Sequence, residues 1–327
     1  MARGVSFANL ICHFGENLVL LDLAREVVLP AFLDGTLRRR YGHTSYFFLN
    51  MAVARTTEEV NGVPLVYAYG RLVKDTVLVR EQIYSLDLGL VPAVEEMASA
   101  PSSFFTLILN NHKLMYLPET ADAPTLAVFQ STLQKFLSIK HREYINALFE
   151  MQRGREDPKT KKQLYLEVPH PHVEVLPLAS QASIDDFLAA FAKITHLEFR
   201  ILEPNDEFPM EDTFLQVLDM KRALNATSTK LTHDSPAGLD SDAAIEQIHA
   251  ASATGNQKVN LAGTSIEGVK LRGNNDDFKL TIESEGLPEG DPERAAELVR
   301  LYGEQAERGI IRQDAAPDTS EKVRRLL

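Results

Sequence analysis

Apolar and polar positions in this chain alternate with period two over short stretches and switch to helical spacing in a few longer ones. The clearest switch lies at 101–137, PSSFFTLILNNHKLMYLPETADAPTLAVFQSTLQKFL. Residues 104–109 and 113–117 read as two strands joined at Asn110-Asn111, a residue type that tolerates the positive φ of a tight turn. Leu126, Phe129, Leu133, Phe136 and Leu137 then recur at helical spacing and make a wide apolar stripe able to pack on that hairpin. Pro124 fits the first turn of this helix, where its missing N–H would be unpaired anyway. The helix is expected to continue, after a bend, through Tyr144, Leu148 and Met151.

The same grammar repeats elsewhere. Residues 5–14 read as a strand. Residues 16 to about 29 read as a helix, with Leu20, Leu23, Val27 and Val28 on one face and Pro30 ending or kinking it. YFFLNMAVA, 46–54, is a dense apolar strand. Asn61-Gly62 then predicts a tight hairpin into VPLVYAYGRLVKDTVLV, a strand or a broken pair of strands. VPAVEEMASA, 91–100, is compatible with a short helix ended by Pro101, and 153–162 has the composition of an exposed linker. In the second half PHPHVEVLPLA is extended, and Ser183 with Asp186 predicts a capped helix over 184–194. A strand over 196–202 and an extended segment over 228–233 follow. Asp240 or Ser241 caps a helix over 242–253. Further extended segments cover 258–261, 268–272 and 278–283, and Asp291 opens a last helix to about 307. The tail after Asp314 is expected to fray, with 323–327 able to dock on a partner. This pattern predicts an α+β fold: antiparallel sheets with helices packed on one face, in two consecutive lobes, 1–163 and 164–315, with a tail at 316–327.

Charge divides at the same boundary. Up to Gln163 the chain has 18 Lys and Arg against 17 Asp and Glu; from Leu164 onward it has 16 against 29. An acidic second lobe repels nucleic acid and anionic membranes, so a polyanion site is expected in the first. The basic clusters there are Arg38, Arg39 and Arg40; Lys140 and Arg142; and Arg153, Arg155, Lys159, Lys161 and Lys162. The longest apolar run near the N-terminus, 18–33, is interrupted by Asp22, Arg25, Glu26 and Pro30, whereas a spanning helix needs roughly 20 apolar residues. The same charges argue against a signal peptide. The single cysteine, Cys12, excludes an intramolecular disulfide and suits a reducing cytosol. A cytoplasmic protein off the membrane is expected.

Catalytic signatures are sparse. Neither of the glycine-rich phosphate loops nor a G-x-S-x-G elbow occurs, so no catalytic residue and no cofactor is nominated. Cys12 reads as a small apolar residue of a buried strand, because neighbouring strand residues such as His13 face the opposite way. His170 and His172 share a strand face with Glu174, a metal-like set without a further nominated ligand. Asp185 and Asp186, followed by Glu198-Phe199-Arg200, resemble the acid sets of metal-dependent nucleases, although helix capping also explains the first two. Phe47, Phe48, Phe104 and Phe105 lie in apolar strands and read as core before they read as a base-stacking platform.

The strand–turn–strand–loop–helix of 102–137 resembles a unit of the RexA-like phage-exclusion proteins. A more distant likeness joins it to the recombination-associated RdgC proteins. The segment 258–308, which opens KVNLAGTSIEGVKLRG, resembles the RexA-like ending of strand, turn, strand and final helix. The resemblance implies a homodimeric, non-enzymatic DNA-binding component of a phage-defence or phage-exclusion system. Arg38, Arg39, Arg40, Lys140, Arg142, Arg153, Arg155, Lys161 and Lys162 are then the candidate contacts to the phosphates of duplex DNA. Acidity after Leu164 sets this chain apart from that pattern and confines DNA to the first lobe. Two alternatives stand beside this reading. One is a metal-dependent nuclease or toxic effector. The other is a protein-only scaffold whose acidic lobe docks a basic partner, such as a product of the same operon.

Overall fold

The computed structural model describes residues 3–60, 63–154, 156–205, 212–252, 255–311 and 319–326. In chain order the strands are β1 (Arg3–Phe14), β2 (Leu18–Val19), β3 (Arg39–Tyr41), β4 (Thr44–Val60), β5 (Val63–Ser85), β6 (Gly89–Ser99), β7 (Ser102–Ile108), β8 (Lys113–Pro118), β9 (Pro171–Pro177), β10 (Lys193–Ile201), β11 (Thr229–Asp234), β12 (Gln257–Thr264), β13 (Lys270–Asn274) and β14 (Thr281–Ser284). The α-helices are α1 (Leu29–Leu33), α2 (Leu126–Met151), α3 (Lys161–Glu167), α4 (Gln181–Leu188), α5 (Asp212–Ala223), α6 (Ser241–Ser252), α7 (Asp291–Glu307) and α8 (Thr319–Arg324).

Strand β1 organises the larger sheet, whose path runs β14-β1-β8-β7-β5-β4-β3. Ser6 pairs with both Tyr116 and Thr281, so β8 and β14 flank β1 on opposite edges; β9 continues along the β14 edge from Ala8 to Phe14. The smaller sheet runs β11-β10-β12-β13. Every pairing in both sheets is antiparallel. The α+β antiparallel architecture expected from the sequence is therefore present.

The division into consecutive lobes at 163/164 is not. The smaller sheet and helices α4, α5 and α6 form an insertion between β9 and β14, after which the chain returns to the larger sheet. Strand β1, with partners on both edges, pairs with segments from both ends of that insertion. The insertion is anchored on that strand. The Asn205 amide accepts from Cys12 N (3.1 Å) and donates to Leu10 O (2.8 Å), and Asn9 donates to Asn256 Oδ1 (3.1 Å).

Helices on one face describe the smaller sheet only. There Ile184, Leu197, Phe199, Phe214, Ile248 and Val259 make one core beneath α4, α5 and α6. The larger sheet is covered on both faces. Leu10, Cys12, Phe105 and Leu107 pack under α1 and α2, while Phe7, Phe104, Ile108 and Met115 pack under α7. Strand period two forces this result: both alternating sets of β1, β7 and β8 are apolar, so each face needs a cover. A network of charges fixes α7 in place. Glu119 accepts from Arg71 (2.9 Å) and Arg294 (2.6 Å), and Arg71 also reaches Asp291 (2.6 Å).

Several local expectations shift. Residues 20–33 are helical, but as a 3₁₀ turn (Leu20–Leu23), a π turn (Ala24–Val28) and then α1. Pro30 sits in the first turn of α1 rather than at a helix end. Lacking N–H, it cannot continue an i→i−4 ladder from the preceding turn, which widens to π spacing. The 91–100 segment is strand β6, because Val91 and Val94 favour extension and an edge strand tolerates Pro92. Ser180, not Ser183, is the N-cap of α4; Ser183 completes the capping box from inside the helix. Thr125 caps α2, which is one helix to Met151, and the left-handed residue of the β7–β8 turn is His112. Helix α5 was not foreseen. The expected Asn61-Gly62 turn lies outside the described residues, although Val60 and Val63 pair across it. Helix α8 docks on its own chain: Val323 is fully buried in the α1–α2 core and Lys322 pairs with Asp22 (2.9 Å), while 315–318, where fraying is expected, lie outside the described residues.

Strand β9 closes the large sheet, and its outer edge is protected by side chains. Gln134 accepts from Val173 N (2.8 Å) and donates to Pro171 O (2.8 Å), while Gln130 accepts from Val175 N (3.1 Å). One face of α2 thus mimics a neighbouring strand and satisfies an edge that would otherwise recruit another chain.

Candidate functional site

The arginine run occupies the far edge of the large sheet. Gly42, at φ 57°, turns the chain so that Arg39 and Arg40 in β3 pair with Tyr46 and Ser45 of β4. The Arg38 guanidinium lies 3.9 Å from the centroid of the Phe47 ring and donates to Gly35 O (2.7 Å) and Leu37 O (2.8 Å). Arg39 lies 5.3 Å from the Tyr46 ring. Stacking on a ring face orders a guanidinium while leaving N–H edges free for phosphate oxygens. Among the described residues none of Arg38, Arg39 and Arg40 has an acidic partner, and Arg38 and Arg40 are exposed.

Lys140 is not a free cation. Its ammonium is 13% exposed and is held by Asp34 (2.6 Å) and Glu143 (2.8 Å). The hydrogen bond from Lys140, aided by Thr36, pulls the Asp34 carboxyl down to about 2, and the Asp34 bond raises Lys140 in turn. Lys140 therefore positions the loop before β3 against α2, and the expectation that it contacts phosphate is corrected. Arg142, two residues further along α2, is exposed without an acidic partner among the described residues, and so is Lys162. Arg153 is paired with Glu150 (2.8 Å). Lys161 donates to Asn146 (2.7 Å) and lies 5.2 Å from the Phe149 ring. Arg155 lies outside the described residues. The structure thus brings Arg38–Arg40 together at one edge and places Lys140 and Arg142 on α2, Arg153 in the turn after it, and Lys161 and Lys162 on α3.

A cleft of about 560 Å³ opens between β9 and the β10–α5 side of the insertion. His13 and His172 face each other across the β1–β9 ladder, and His13 Nε2 is 3.0 Å from Glu203 O. Glu174, 4% exposed, is held by Lys258 (2.6 Å), Gln130 (2.9 Å), His172 (3.5 Å) and Arg200 (3.7 Å). Burial opposes its ionisation, but bonds from His172 and Lys258 outweigh burial and hold the carboxyl down to about 2. Glu203 is engaged in the same way by Lys221 (3.6 Å) and Arg222. The cleft is charge-balanced within itself. His170 precedes β9 and stacks on Tyr165 (4.9 Å), so it does not join His172 and Glu174. Among the described residues no group of three His, Cys, Asp or Glu is placed to hold a metal ion.

The nuclease-like acids are also separated. Asp185 and Asp186 lie on α4, which covers the apolar face of the smaller sheet; Asp185 pairs with His249 (2.9 Å). Glu198 points from the opposite face of β10 and pairs with Lys230 (2.9 Å) and Asn260 (3.0 Å). Of the four phenylalanines, Phe48, Phe104 and Phe105 are buried, and only Phe47 reaches the outer surface, beneath Arg38.

Sequence reasoning read 63–79 as extended but missed that β5 runs on to Ser85 and pairs with β6 as an exposed ribbon over 76–99. Its signal was an apolar run without a sustained period, which neither a helix nor a half-buried strand produces.

No family model and no curated protein matches the chain. Among solved structures, the heme degrading enzyme ChuS of Escherichia coli O157:H7 aligns over 90% of this chain and 86% of its own, at 10% identity and a TM-score of 0.12. A likeness at that level carries neither fold nor function. Among the described residues no helix is long and apolar enough to cross a membrane.

Proposed function

We propose that this protein is a non-enzymatic, homodimeric DNA-binding component of a phage-defence or phage-exclusion system, and that it grips the DNA backbone through Arg38, Arg39 and Arg40. The observation that carries the reading is the arginine strand: three consecutive guanidinium groups on an outer edge, two stacked on aromatic rings, none neutralised by a carboxylate among the described residues. Arg142 and Lys162 extend the surface as lesser contacts. The RexA-like pattern of 102–137 and 258–308 supports the biological setting.

Backbone contacts make affinity salt-dependent. Each phosphate neutralised on duplex DNA adds about 0.9 to the slope of log affinity against log salt. The triple variant R38Q/R39Q/R40Q is expected to lower that slope by about 3 for each copy that engages the DNA and to weaken every duplex sequence alike. Fluorescence anisotropy titrations across a salt series measure it, on protein freed of nucleic acid. Failure of the unmodified protein to bind duplex DNA at low salt would end the DNA reading, as would a slope that the substitutions leave unchanged.

A further inference from the structure

Residues 76–99 leave the body of the molecule as a two-stranded ribbon. Strand β5 has β4 beside it up to Asp75 and β7 up to Val73, but from Thr76 onward its pairing is with β6 alone. Ten residues of β5 project in this way, about 33 Å at strand rise. Leu78–Met97, Ile83–Val91 and Tyr84–Leu90 pair across the ribbon. Tyr84, Leu86, Leu88, Leu90, Val94 and Met97 are exposed by 61% to 90%. An isolated two-stranded hairpin is marginal in water, and exposed apolar side chains on this scale, here on both faces of the ribbon, mark an interaction surface.

We propose that the ribbon is the self-association surface: two copies pair their ribbons antiparallel about a two-fold axis, so that the tip of each reaches the base of the other. The proposal rests on the homodimer part of the reading above and supplies its interface.

Area and edges point to a second copy. Burying one large apolar side chain removes roughly 60–120 Å² from water. The ribbon's ten exposed large apolar residues therefore offer roughly 600 Å² of apolar side chain per copy, counted over both of its faces. A standard interface takes about 800 Å² per partner, and backbone and rim supply the rest. The outer edges of the ribbon strands have no strand partner among the described residues, so backbone donors and acceptors are available for a two-fold, self-complementary contact.

Charge then sets the direction of pairing, because two ribbons of like sign repel least when their acidic tips lie at opposite ends. The ribbon has Glu81, Asp87, Glu95 and Glu96 against Arg80, a net of −3, which turns away nucleic acid and anionic lipid. The base of the ribbon has the opposite sign. Thr44 at the β3–β4 turn is 2.8 Å from Thr76, hydroxyl to hydroxyl, which places the arginine strand two strands from the ribbon's root. Antiparallel pairing brings the Asp87 tip of one copy toward the arginine strand of the other. Three arginines against one carboxylate leave positive charge at each end of the paired ribbons for phosphates.

Sedimentation velocity of the full chain at tens of micromolar is expected to give twice the 36.5 kDa chain mass. The L86S/L88S/L90S variant alters side chains that are 71% to 90% exposed. It is expected to raise the dimer dissociation constant about 100-fold or more, with the thermal unfolding midpoint of the body unchanged. A mid-ribbon Gln82→Cys substitution is expected to cross-link two chains under mild oxidation. Cys12 cannot substitute for it, being fully buried with its thiol pushed up to about 12. A monomeric unmodified protein, or a dimer indifferent to the triple substitution, would overturn the proposal. So would a monomer that floats with phosphatidylcholine vesicles through the same leucines. A dimer that binds no DNA would instead remove the DNA reading and leave this one standing.

Discussion

Replacing Glu174 by glutamine is expected to cost the folded protein about 3 kcal/mol at neutral pH. The carboxylate joins three parts of the molecule: β9, on which it sits, α2 through Gln130, and the smaller sheet through Lys258 and Arg200. Burial alone would raise its pKa; the bonds from His172 and Lys258 reverse that and lower it from the ordinary 4.5 to about 2. A carboxyl that holds its proton less tightly in the folded state than in the unfolded one stabilises the fold wherever it is ionised in both. That contribution is complete above about pH 4.5 and is lost as pH falls towards 2. One pKa unit is worth about 1.4 kcal/mol, which sets the figure of about 3. Glutamine keeps the shape and part of the hydrogen bonding but leaves Lys258 and Arg200 facing a neutral amide. Denaturant unfolding of both proteins from pH 7 to pH 2 measures the effect. The gap between them should narrow through the acid range; a gap under about 0.5 kcal/mol at pH 7, the size of an ordinary surface substitution, would show that the carboxylate is not a structural anchor.

Much of this architecture was legible in the sequence, and the boundary of what was legible has a physical cause. The 101–137 unit was readable because its contacts are local: turn chemistry sets the hairpin, and helical spacing sets the face of α2 that covers it. The α2 stripe of Leu126, Phe129, Leu133, Phe136 and Leu137 is buried as the spacing predicts. Period two gives a strand two faces but names no neighbour. Nothing local to 171–177 or 281–284 says that both segments lie along β1, so an insertion was read as a second lobe. The ribbon escaped for a related reason. Its side chains face no core on either side, and the alternation of Tyr84, Leu86, Leu88 and Leu90 with Ser85, Asp87 and Gly89 is confined to the tip. At the candidate site, Arg38 and Arg40 were legible as exposed cations, with Arg39 half-buried between them. The capture of Lys140 by Asp34 was not, since it depends on how the loop before β3 folds back on α2.

The largest single loss is expected at the centre of the aromatic core. Phe129 is fully buried, with ring centroids of Phe105 at 4.8 Å, Phe48 at 5.7 Å, Tyr116 at 5.8 Å and Phe32 at 6.4 Å. These rings come from β7, β4, β8 and α1, so α2 inserts Phe129 where sheet and helices converge. Phe129→Ala is expected to cost about 3–5 kcal/mol, combining lost transfer energy with a cavity that four rigid rings cannot close. Phe129→Leu, nearer in volume, should cost less and remain folded, which allows function to be assayed. That comparison also separates core from platform. Phe129 packs against Phe48 and Phe105, two of the four phenylalanines weighed as a base-stacking platform, and if that cluster stacked bases the leucine variant would lose affinity for single-stranded DNA beyond its loss of stability. As core residues they should lower the unfolding free energy while the folded fraction binds as before. Equilibrium unfolding in urea, alongside anisotropy on the leucine variant, reads both quantities. An alanine variant within about 1 kcal/mol of the unmodified protein, below the range for a buried phenylalanine, would mean that the α2–sheet contact is not the core described above.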